Sequence, residues 1–195
     1  MRVAISGTHA CGKSTLIDEF LLVHPEFTHE PEPYTVLEED YGEVFAAEPS
    51  AEDFFRQLEF NIERLRSYAP GTRVIFERSP VDFLAYLLAL GDLGRGEGTR
   101  QLINRSLEKV RTAIQRLDLI VFLPLEDNDE IVSDSEDPEL RSAVNSRLVD
   151  LFNNDDLIQS SPDYPVVVEA LGSTAQRLRI VEKAVEAHSA KGKSG

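Results

Sequence analysis

A glycine-rich stretch near the start of the chain has residue types and spacing that suit phosphate binding. Residues 7–14, GTHACGKS, fit the pattern G-x-x-x-x-G-K-[ST] between a predicted strand and a predicted helix. In such a loop the glycines let backbone N–H groups turn inward around phosphate oxygens, and the helix N-terminus adds partial positive charge. We therefore expect an ATP site formed by Gly7, His9, Ala10, Cys11, Gly12, Lys13, Ser14 and Thr15.

Two side chains of this loop have predicted chemical roles. Lys13 would reach the β- and γ-phosphates, and the Ser14 hydroxyl would be a ligand of Mg²⁺. The sequence thus predicts ATP and Mg²⁺ as cofactors. Cys11 is expected to be a small filler inside the loop, although a helix N-terminus can lower the pKa of a thiol. The side chain of His9 is expected to be incidental.

A second group of ionisable residues follows two other predicted strands. The stretch HEPEPY (29–34) is acidic, and its two prolines bias the neighbouring backbone toward an extended conformation. Glu77 and Arg78 end the apolar strand RVIFER (73–78). Ligands of an open parallel sheet bind at the carboxyl ends of its strands, so we expect both groups to lie beside the phosphate loop.

The elements that must position these residues alternate between short β-rich runs and longer helical patterns. Strands are predicted at 2–7, 27–32, 73–78, 118–125 and 164–170, with helices between them and after the last. Uninterrupted apolar strands indicate a parallel sheet that is covered on both faces. The predicted fold is therefore α/β, a three-layer P-loop NTPase fold with a five-stranded parallel sheet. One domain is expected over 1–188, with a lid-like region at 126–152 and a flexible tail at 189–195.

Composition excludes several classes of partner. The chain has 195 residues, 20 of them basic and 35 acidic, which gives a formal net charge of -15. Such a surface repels nucleic acid and anionic membranes, while a small anion can still bind in a local positive pocket. The single cysteine excludes an internal disulfide, and no stretch is long and apolar enough to span a membrane. A cytoplasmic protein is the expectation.

Four motifs in a fixed order resemble the deoxynucleoside kinases, within the wider group of P-loop nucleoside and nucleotide kinases. They are GTHACGKST (7–15), PEP (31–33), QLEFNIER (57–64) and ERS (77–79). The chain is also similar to small bacterial AAA-like P-loop proteins with kinase-like features. The resemblance implies a kinase fold and an acceptor site near the second and third strands.

The resemblance also implies roles for individual residues. Glu32 takes the place of the base that accepts the proton of the acceptor hydroxyl, and Arg78 helps to position that hydroxyl and the carboxylate. Gln57 and Arg64, seven residues apart on one helix face, would contact the acceptor; spacing alone would equally suit a solvated polar face. Glu77 is expected to bind the acceptor as well.

The lid-like region departs from the family pattern, because it is acidic where deoxynucleoside kinases carry closely spaced arginines. Arg141 and Arg147 are the nearby candidates, and six residues place them on different faces of a helix. We therefore expect at most one of them to point inward and stabilise the transferring phosphoryl group. The later stretch ALGSTAQRL (170–178) resembles the loop that lies over adenine in such kinases.

These observations favour ATP- and Mg²⁺-dependent phosphoryl transfer to a hydroxyl of a nucleoside-like small molecule. A nucleoside monophosphate acceptor would need no base, since its phosphate is already ionised, and would need additional arginines. Glu32 is the predicted base and Glu30 its alternative. A regulatory nucleotide-binding ATPase and a nucleoside monophosphate kinase remain open. The apolar helix at 81–90 is a candidate homodimer face, although a place in the core is favoured.

Overall fold

Five parallel strands form the centre of the molecule, in the spatial order β2-β3-β1-β4-β5. The computed structural model describes residues 1–46, 48–96, 98–126, 137–153 and 164–191. The strands are β1 (Arg2–Ser6), β2 (Thr28–Glu30), β3 (Val74–Glu77), β4 (Leu119–Phe122) and β5 (Val166–Glu169). The predicted five-stranded parallel sheet is confirmed.

Helices connect successive strands, as a parallel sheet requires. Those of the described residues are α1 (Lys13–Val23), α2 (Pro33–Glu39), α3 (Ala51–Ser67), α4 (Pro80–Asp92), α5 (Thr99–Ile114), α6 (Pro138–Asn153) and α7 (Thr174–Lys191). The sheet order places β1, which leads into the phosphate loop, between β3 and β4. The ends of these three strands therefore surround the loop.

Two hydrophobic clusters lie on opposite faces of the sheet, which confirms the predicted layering. Side chains of α3, α4, α5 and α6 pack with Ala4 and Phe76 on one face. Side chains of α1 and α7 pack with Val3, Ile5 and Ile75 on the other face. Successive residues of a strand thus enter different clusters, because Cβ atoms alternate across a sheet.

The structure refines several expected boundaries. Helix α7 continues to Lys191, so the expected tail begins with helical residues, and 192–195 lie outside the described residues. In the lid-like region, 127–136 also lie outside them, and α6 occupies most of the remainder. The segment at 81–90 is almost wholly buried in the core, as favoured over a dimer face. Strand β5 is partly exposed, because it forms one edge of the sheet.

Among the described residues, none of the helices has both the length and the apolar character that crossing a membrane requires.

The packing of α3 against the sheet predicts a large loss of stability on truncation of Leu58, which is fully buried. Leu58→Ala should lower the free energy of unfolding by about 2–5 kcal/mol, because it removes apolar contacts and leaves a cavity. Leu22→Ala is the matched control, since Leu22 is 79% exposed. Urea denaturation of both variants tests this, and equal losses would contradict the packing described.

Candidate active site

The phosphate loop is shaped by two glycines with positive φ. Gly7 has φ 156°, and a Cβ atom there would lie 2.6 Å from Cys11 Sγ and 2.8 Å from the Leu123 carbonyl oxygen. Gly12 has φ 87° and caps the start of α1. Only glycine combines this conformation with so little space, which explains the motif in physical terms.

Cationic side chains cap five successive carbonyl oxygens of the loop. Arg78 Nη1 donates to Gly7 O at 3.0 Å, Lys13 Nζ to Thr8 O at 2.8 Å, Arg141 Nε to His9 O at 3.0 Å, Arg141 Nη2 to Ala10 O at 3.2 Å, and Arg177 Nη1 to Cys11 O at 2.7 Å. Side chains that hold these carbonyl oxygens fix the conformation of the loop, whose N–H groups are the donors that would bind a phosphate.

Arg78 joins this loop to the second acidic group. Its Nε donates to Glu32 Oε1, and its Nη1 lies 3.7 Å from Asp82 Oδ1. The residue is 3% exposed and has φ 78°, a conformation that costs energy for a residue with a Cβ. Asn61 Nδ2 donates to its carbonyl oxygen at 3.4 Å. The surrounding contacts hold the strained backbone, so the guanidinium has a fixed position.

The charge state of this pair follows from its surroundings. Burial alone would raise the pKa of Glu32, but the charges of Arg78 and Lys13 outweigh it and hold that pKa below its usual range. Burial likewise opposes the charge on Arg78, yet Glu32 and Asp82 raise its pKa overall. Glu32 is therefore an ionised carboxylate at neutral pH, beside a permanent cation.

Glu32 is placed by a change of backbone direction at the end of β2. It is the N-cap residue of α2, and Pro33 occupies the first turn of that helix. Proline suits this position because it needs no hydrogen-bond partner for a backbone N–H. The stretch with two prolines thus turns the chain so that the Glu32 carboxylate reaches Arg78. The Glu32 side chain remains 22% exposed, so a ligand can reach it.

Ser14 and Glu77 form a hydroxyl–carboxylate pair at the start of α1 and the end of β3. Ser14 Oγ donates to Glu77 Oε1 at 2.7 Å. Such oxygens are ligands that Mg²⁺ prefers, so the residues fit a divalent cation. The described residues contain no group of three His, Cys, Asp or Glu side chains arranged for a metal, so phosphate and water would supply the other ligands. Glu77 thus contacts Ser14, and its predicted contact with an acceptor stays a prediction.

The acceptor side of the site is lined by one face of α3. Gln57 and Asn61 are buried there, four residues apart and beside Phe54. The Phe54 ring stacks on Tyr86 of α4 at 4.3 Å between centroids, and the Arg78 guanidinium lies 5.2 Å from the Tyr86 ring. The buried face of α3 therefore carries amide side chains beside a pair of stacked aromatic rings, with the Arg78 guanidinium close to one of them.

Arg64 has a different partner from the one expected. Its Nε and Nη2 donate to the two carboxylate oxygens of Glu30 at 2.7 Å and 2.8 Å, and the Tyr68 hydroxyl donates to the same carboxylate. Hydrogen bonding to Glu30 raises the pKa of Arg64. Glu30 is therefore fully engaged, which removes it as the alternative base. The predicted contact of Arg64 with an acceptor stays a prediction.

The two lid arginines point in different directions, as their spacing predicted. Arg141 is buried against the loop carbonyls of His9 and Ala10, whereas Arg147 pairs with Asp92 at the surface. Arg141 therefore lies at the phosphate loop and Arg147 does not, and the stabilisation of a transferring phosphoryl group by Arg141 stays a prediction.

Sequence reasoning missed Arg177 and Asp82. Arg177 lies in the stretch predicted to cover adenine, and its Nη2 donates to Glu126 Oε2 at 2.7 Å. The same oxygen accepts the Gly172 N–H at 2.8 Å, so one carboxylate binds two residues of this stretch, and Arg177 Nη1 joins the stretch to the loop at Cys11 O. Asp82 accepts the Gly7 N–H at 2.8 Å and the Ser79 N–H at 2.8 Å. The S-P-x-D capping box after β3 was the available signal for Asp82; a lone arginine gave none.

Cys11 is a filler, as predicted. It is 1% exposed, and burial raises the pKa of its thiol despite the cations nearby. A neutral thiol is a weak nucleophile, so the phosphate loop uses this residue for packing.

Comparison with known proteins identifies a family that covers most of the chain. A family model described as an AAA domain matches residues 2–177. A search of curated proteins gave no match.

Solved structures with the same fold are nucleoside and nucleotide enzymes at low identity. Deoxyadenosine kinase from M. mycoides, with dCMP and dCDP bound, has a TM-score of 0.66 at 16% identity, covering 96% of this chain and 99% of that one. Thymidylate kinase from Candida albicans has a TM-score of 0.61 at 16% identity, with coverages of 96% and 92%. NadR in complex with NAD and AMP-PNP has a TM-score of 0.65 at 17% identity. The match covers 97% of this chain and 49% of the NadR chain.

The contacts of Arg177 predict that its loss weakens both the fold and the nucleotide site. Arg177→Gln should lower the free energy of unfolding by about 1–3 kcal/mol, because a charged hydrogen-bonding partner is removed. Affinity for a fluorescent ATP analogue should fall about tenfold, a difference near 1.4 kcal/mol. Arg179→Gln is the matched control, being exposed on the same helix. Equal effects of the two substitutions would contradict the role described.

The lowered pKa of Glu32 predicts how its contribution to stability changes with pH. Since the folded-state pKa lies below the unfolded one, the ionised carboxylate stabilises the fold above its ordinary pKa of about 4.3. That contribution is lost as the pH falls through the folded-state value. Urea denaturation should show a gap between wild type and Glu32→Gln at pH 7 that narrows in acid. A gap independent of pH would refute this assignment.

Proposed function

This chain belongs to the AAA domain family, within the P-loop nucleotide kinase-like superfamily, and we propose that it transfers the γ-phosphoryl group of ATP to a hydroxyl of a nucleoside-like small molecule. The resemblance expected from the four sequence motifs is confirmed at this level. Phosphoryl transfer requires positioned groups and neutralised charge rather than covalent help, and the site offers both.

One observation carries the proposal, namely that Arg78 contacts both Glu32 and the phosphate loop. Its Nε donates to Glu32, while its Nη1 donates to Gly7 O at 3.0 Å. An ionised carboxylate is thereby fixed close to the loop that would hold the triphosphate. A site for ATP hydrolysis alone requires no buried arginine to hold a carboxylate at this place.

In this mechanism each residue has a separate task. The loop amides and Lys13 bind the phosphates, and Ser14 with Glu77 holds the divalent cation, which neutralises phosphate charge when bound. Glu32 accepts a hydrogen bond from the acceptor hydroxyl and takes its proton late in the transfer. Arg78 keeps Glu32 ionised and oriented, and Arg141 adds positive charge near the transferred group.

The pairing of arginines favours a hydroxyl acceptor over a phosphate acceptor. Arg64 is bound to Glu30 and Arg78 to Glu32, so each of these cations is neutralised by a carboxylate. An ionised acceptor phosphate would have to break one of these pairs, leaving a buried carboxylate without its partner at a cost of about 3–5 kcal/mol.

The proposed class of acceptor rests on side chains of α3 and α4 and on the solved structures that share this fold. Gln57 can hydrogen-bond to the edge of a ring, and Tyr86 with Phe54 provides aromatic surface for its face. By their own descriptions, one structure with this fold is a deoxyadenosine kinase with dCMP and dCDP bound, and another is NadR in complex with NR. A nucleoside or a molecule of similar shape is therefore the proposed acceptor.

A regulatory ATPase is the second candidate, because the family model is described as an AAA domain. On this alternative Glu32 would orient water, and ADP with inorganic phosphate would be the products.

The two functions differ in their products, which makes a single experiment decisive. Purified protein would be incubated with ATP, Mg²⁺ and a pool of nucleosides, nucleotides and related alcohols, followed by mass spectrometry. The proposal predicts a new phosphomonoester of one pool member. ADP and inorganic phosphate alone, with every pool member unchanged, would favour the regulatory ATPase.

The substitution Glu32→Gln tests the role of Glu32 as the base separately from nucleotide binding. Transfer should fall about 10²–10⁴-fold, because the amide cannot take up the proton of the acceptor hydroxyl. Binding of a fluorescent ATP analogue should persist, since Lys13 and the loop amides are untouched. Glu39→Gln is the matched control, because Glu39 is exposed on the same short helix. Full transfer by Glu32→Gln would exclude Glu32 as the base.

A further inference from the structure

A histidine lies beside the Ser14–Glu77 pair, and none of the roles above uses it. His29 of β2 is aligned with Ile75 of β3, two residues before Glu77. Its Nε2 atom lies 3.9 Å from Glu77 Oε2. The other carboxylate oxygen, Oε1, accepts the Ser14 hydroxyl hydrogen bond. One carboxylate therefore stands between a hydroxyl and an imidazole.

The His29 Nε2 atom is buried, yet it makes no hydrogen bond to any of the residues that the structure describes. A buried polar nitrogen without a partner costs free energy, and a bound ion is one of the explanations for such an atom in a native protein. The imidazole as a whole remains partly accessible, with 31% of its side chain exposed.

The 3.9 Å separation between His29 Nε2 and Glu77 Oε2 decides between a direct hydrogen bond and a shared metal ion. It exceeds the range of a hydrogen bond, which ends near 3.2 Å for nitrogen and oxygen. Two ligands bound to one divalent ion at about 2.1 Å each are separated by at most ~4.2 Å. The two atoms therefore have a spacing that two ligands of one ion can adopt, with an angle of roughly 135° between the two bonds.

We propose that His29, Glu77 and Ser14 form a divalent-cation site that binds a transition metal ion of the Mn²⁺ type in preference to Mg²⁺. The proposal rests on the assignment of the cation to Ser14 and Glu77 in the proposed function. Mg²⁺ takes almost only oxygen ligands, whereas an imidazole nitrogen suits later divalent ions. Nucleotide phosphates would complete the coordination.

The remaining histidine–carboxylate pairs provide an internal comparison. His188 Nε2 lies 4.0 Å from Asp118 Oδ1, a similar spacing, but at the opposite end of β4 from the phosphate loop. It therefore has a similar carboxylate neighbour without the Ser14 hydroxyl. His188→Gln is the matched control for His29→Gln.

Pulsed EPR of Mn²⁺ bound to the full chain, with a non-hydrolysable ATP analogue, tests the proposal directly. Wild type should show nitrogen coupling from a directly bound imidazole, and ¹⁵N-histidine labelling should change its frequency. The coupling should vanish in His29→Gln and persist in His188→Gln. Binding titrations should show the Mn²⁺ dissociation constant rising at least about tenfold in His29→Gln, with little change for Mg²⁺.

Absence of nitrogen coupling in wild type, or coupling that survives in His29→Gln, would overturn the proposal. So would equal losses of Mn²⁺ and Mg²⁺ affinity, because a purely structural histidine would disturb both ions alike. These measurements require no acceptor. Nitrogen coupling without any phosphorylated product would support the metal site and contradict the proposed kinase activity. A phosphorylated product without nitrogen coupling would support the kinase activity and contradict the metal site.

Discussion

The capping of the phosphate-loop carbonyls by cationic side chains is the interaction on which the site depends. Lys13, Arg78, Arg141 and Arg177 reach five successive carbonyl oxygens. They come from α1, the end of β3, α6 and α7. The loop is therefore held only when elements from both faces of the sheet are in place, so that binding competence and folding are coupled.

This arrangement concentrates positive charge in a chain whose net charge is -15. Arg78 is balanced by Glu32 and Asp82, and Arg177 by Glu126. Buried charges are tolerated only when paired, and pairing fixes the side chains in one geometry. The result is a local field that attracts an anionic nucleotide while the remaining acidic surface repels polyanions.

Much of the fold follows from local sequence patterns. Apolar runs located the five strands, and the glycines with Lys13 and Ser14 marked the loop, because these signals depend on neighbours along the chain. Arg141 and Arg147 were expected to point in different directions, since six residues of helix place them on different faces, and their partners in the structure differ accordingly. The connection of Glu32 to Arg78 came from motif order rather than from physics, and the structure supports the contact.

The residues that the sequence did not reveal were missed for one physical reason, namely that their partners are distant along the chain. Arg177 and Asp82 act through partners more than seventy positions away, and His29 lies beside Glu77 only because β2 pairs with β3. The immediate sequence gives no signal for Arg177 or His29, and for Asp82 it gives only the capping box with Ser79. The pairing of Arg64 with Glu30 was likewise hidden, because it depends on how α3 crosses the end of β2.

The central claim is that the cationic loop and the Glu32–Arg78 pair act on one phosphoryl group. A crystal structure with a non-hydrolysable ATP analogue and a divalent cation measures this most directly. The account predicts that the γ-phosphate lies between Lys13 and Arg78, with the Glu32 carboxylate facing the side from which an acceptor oxygen would attack. A γ-phosphate directed away from Glu32, with the Glu32–Arg78 pair outside its reach, would contradict it.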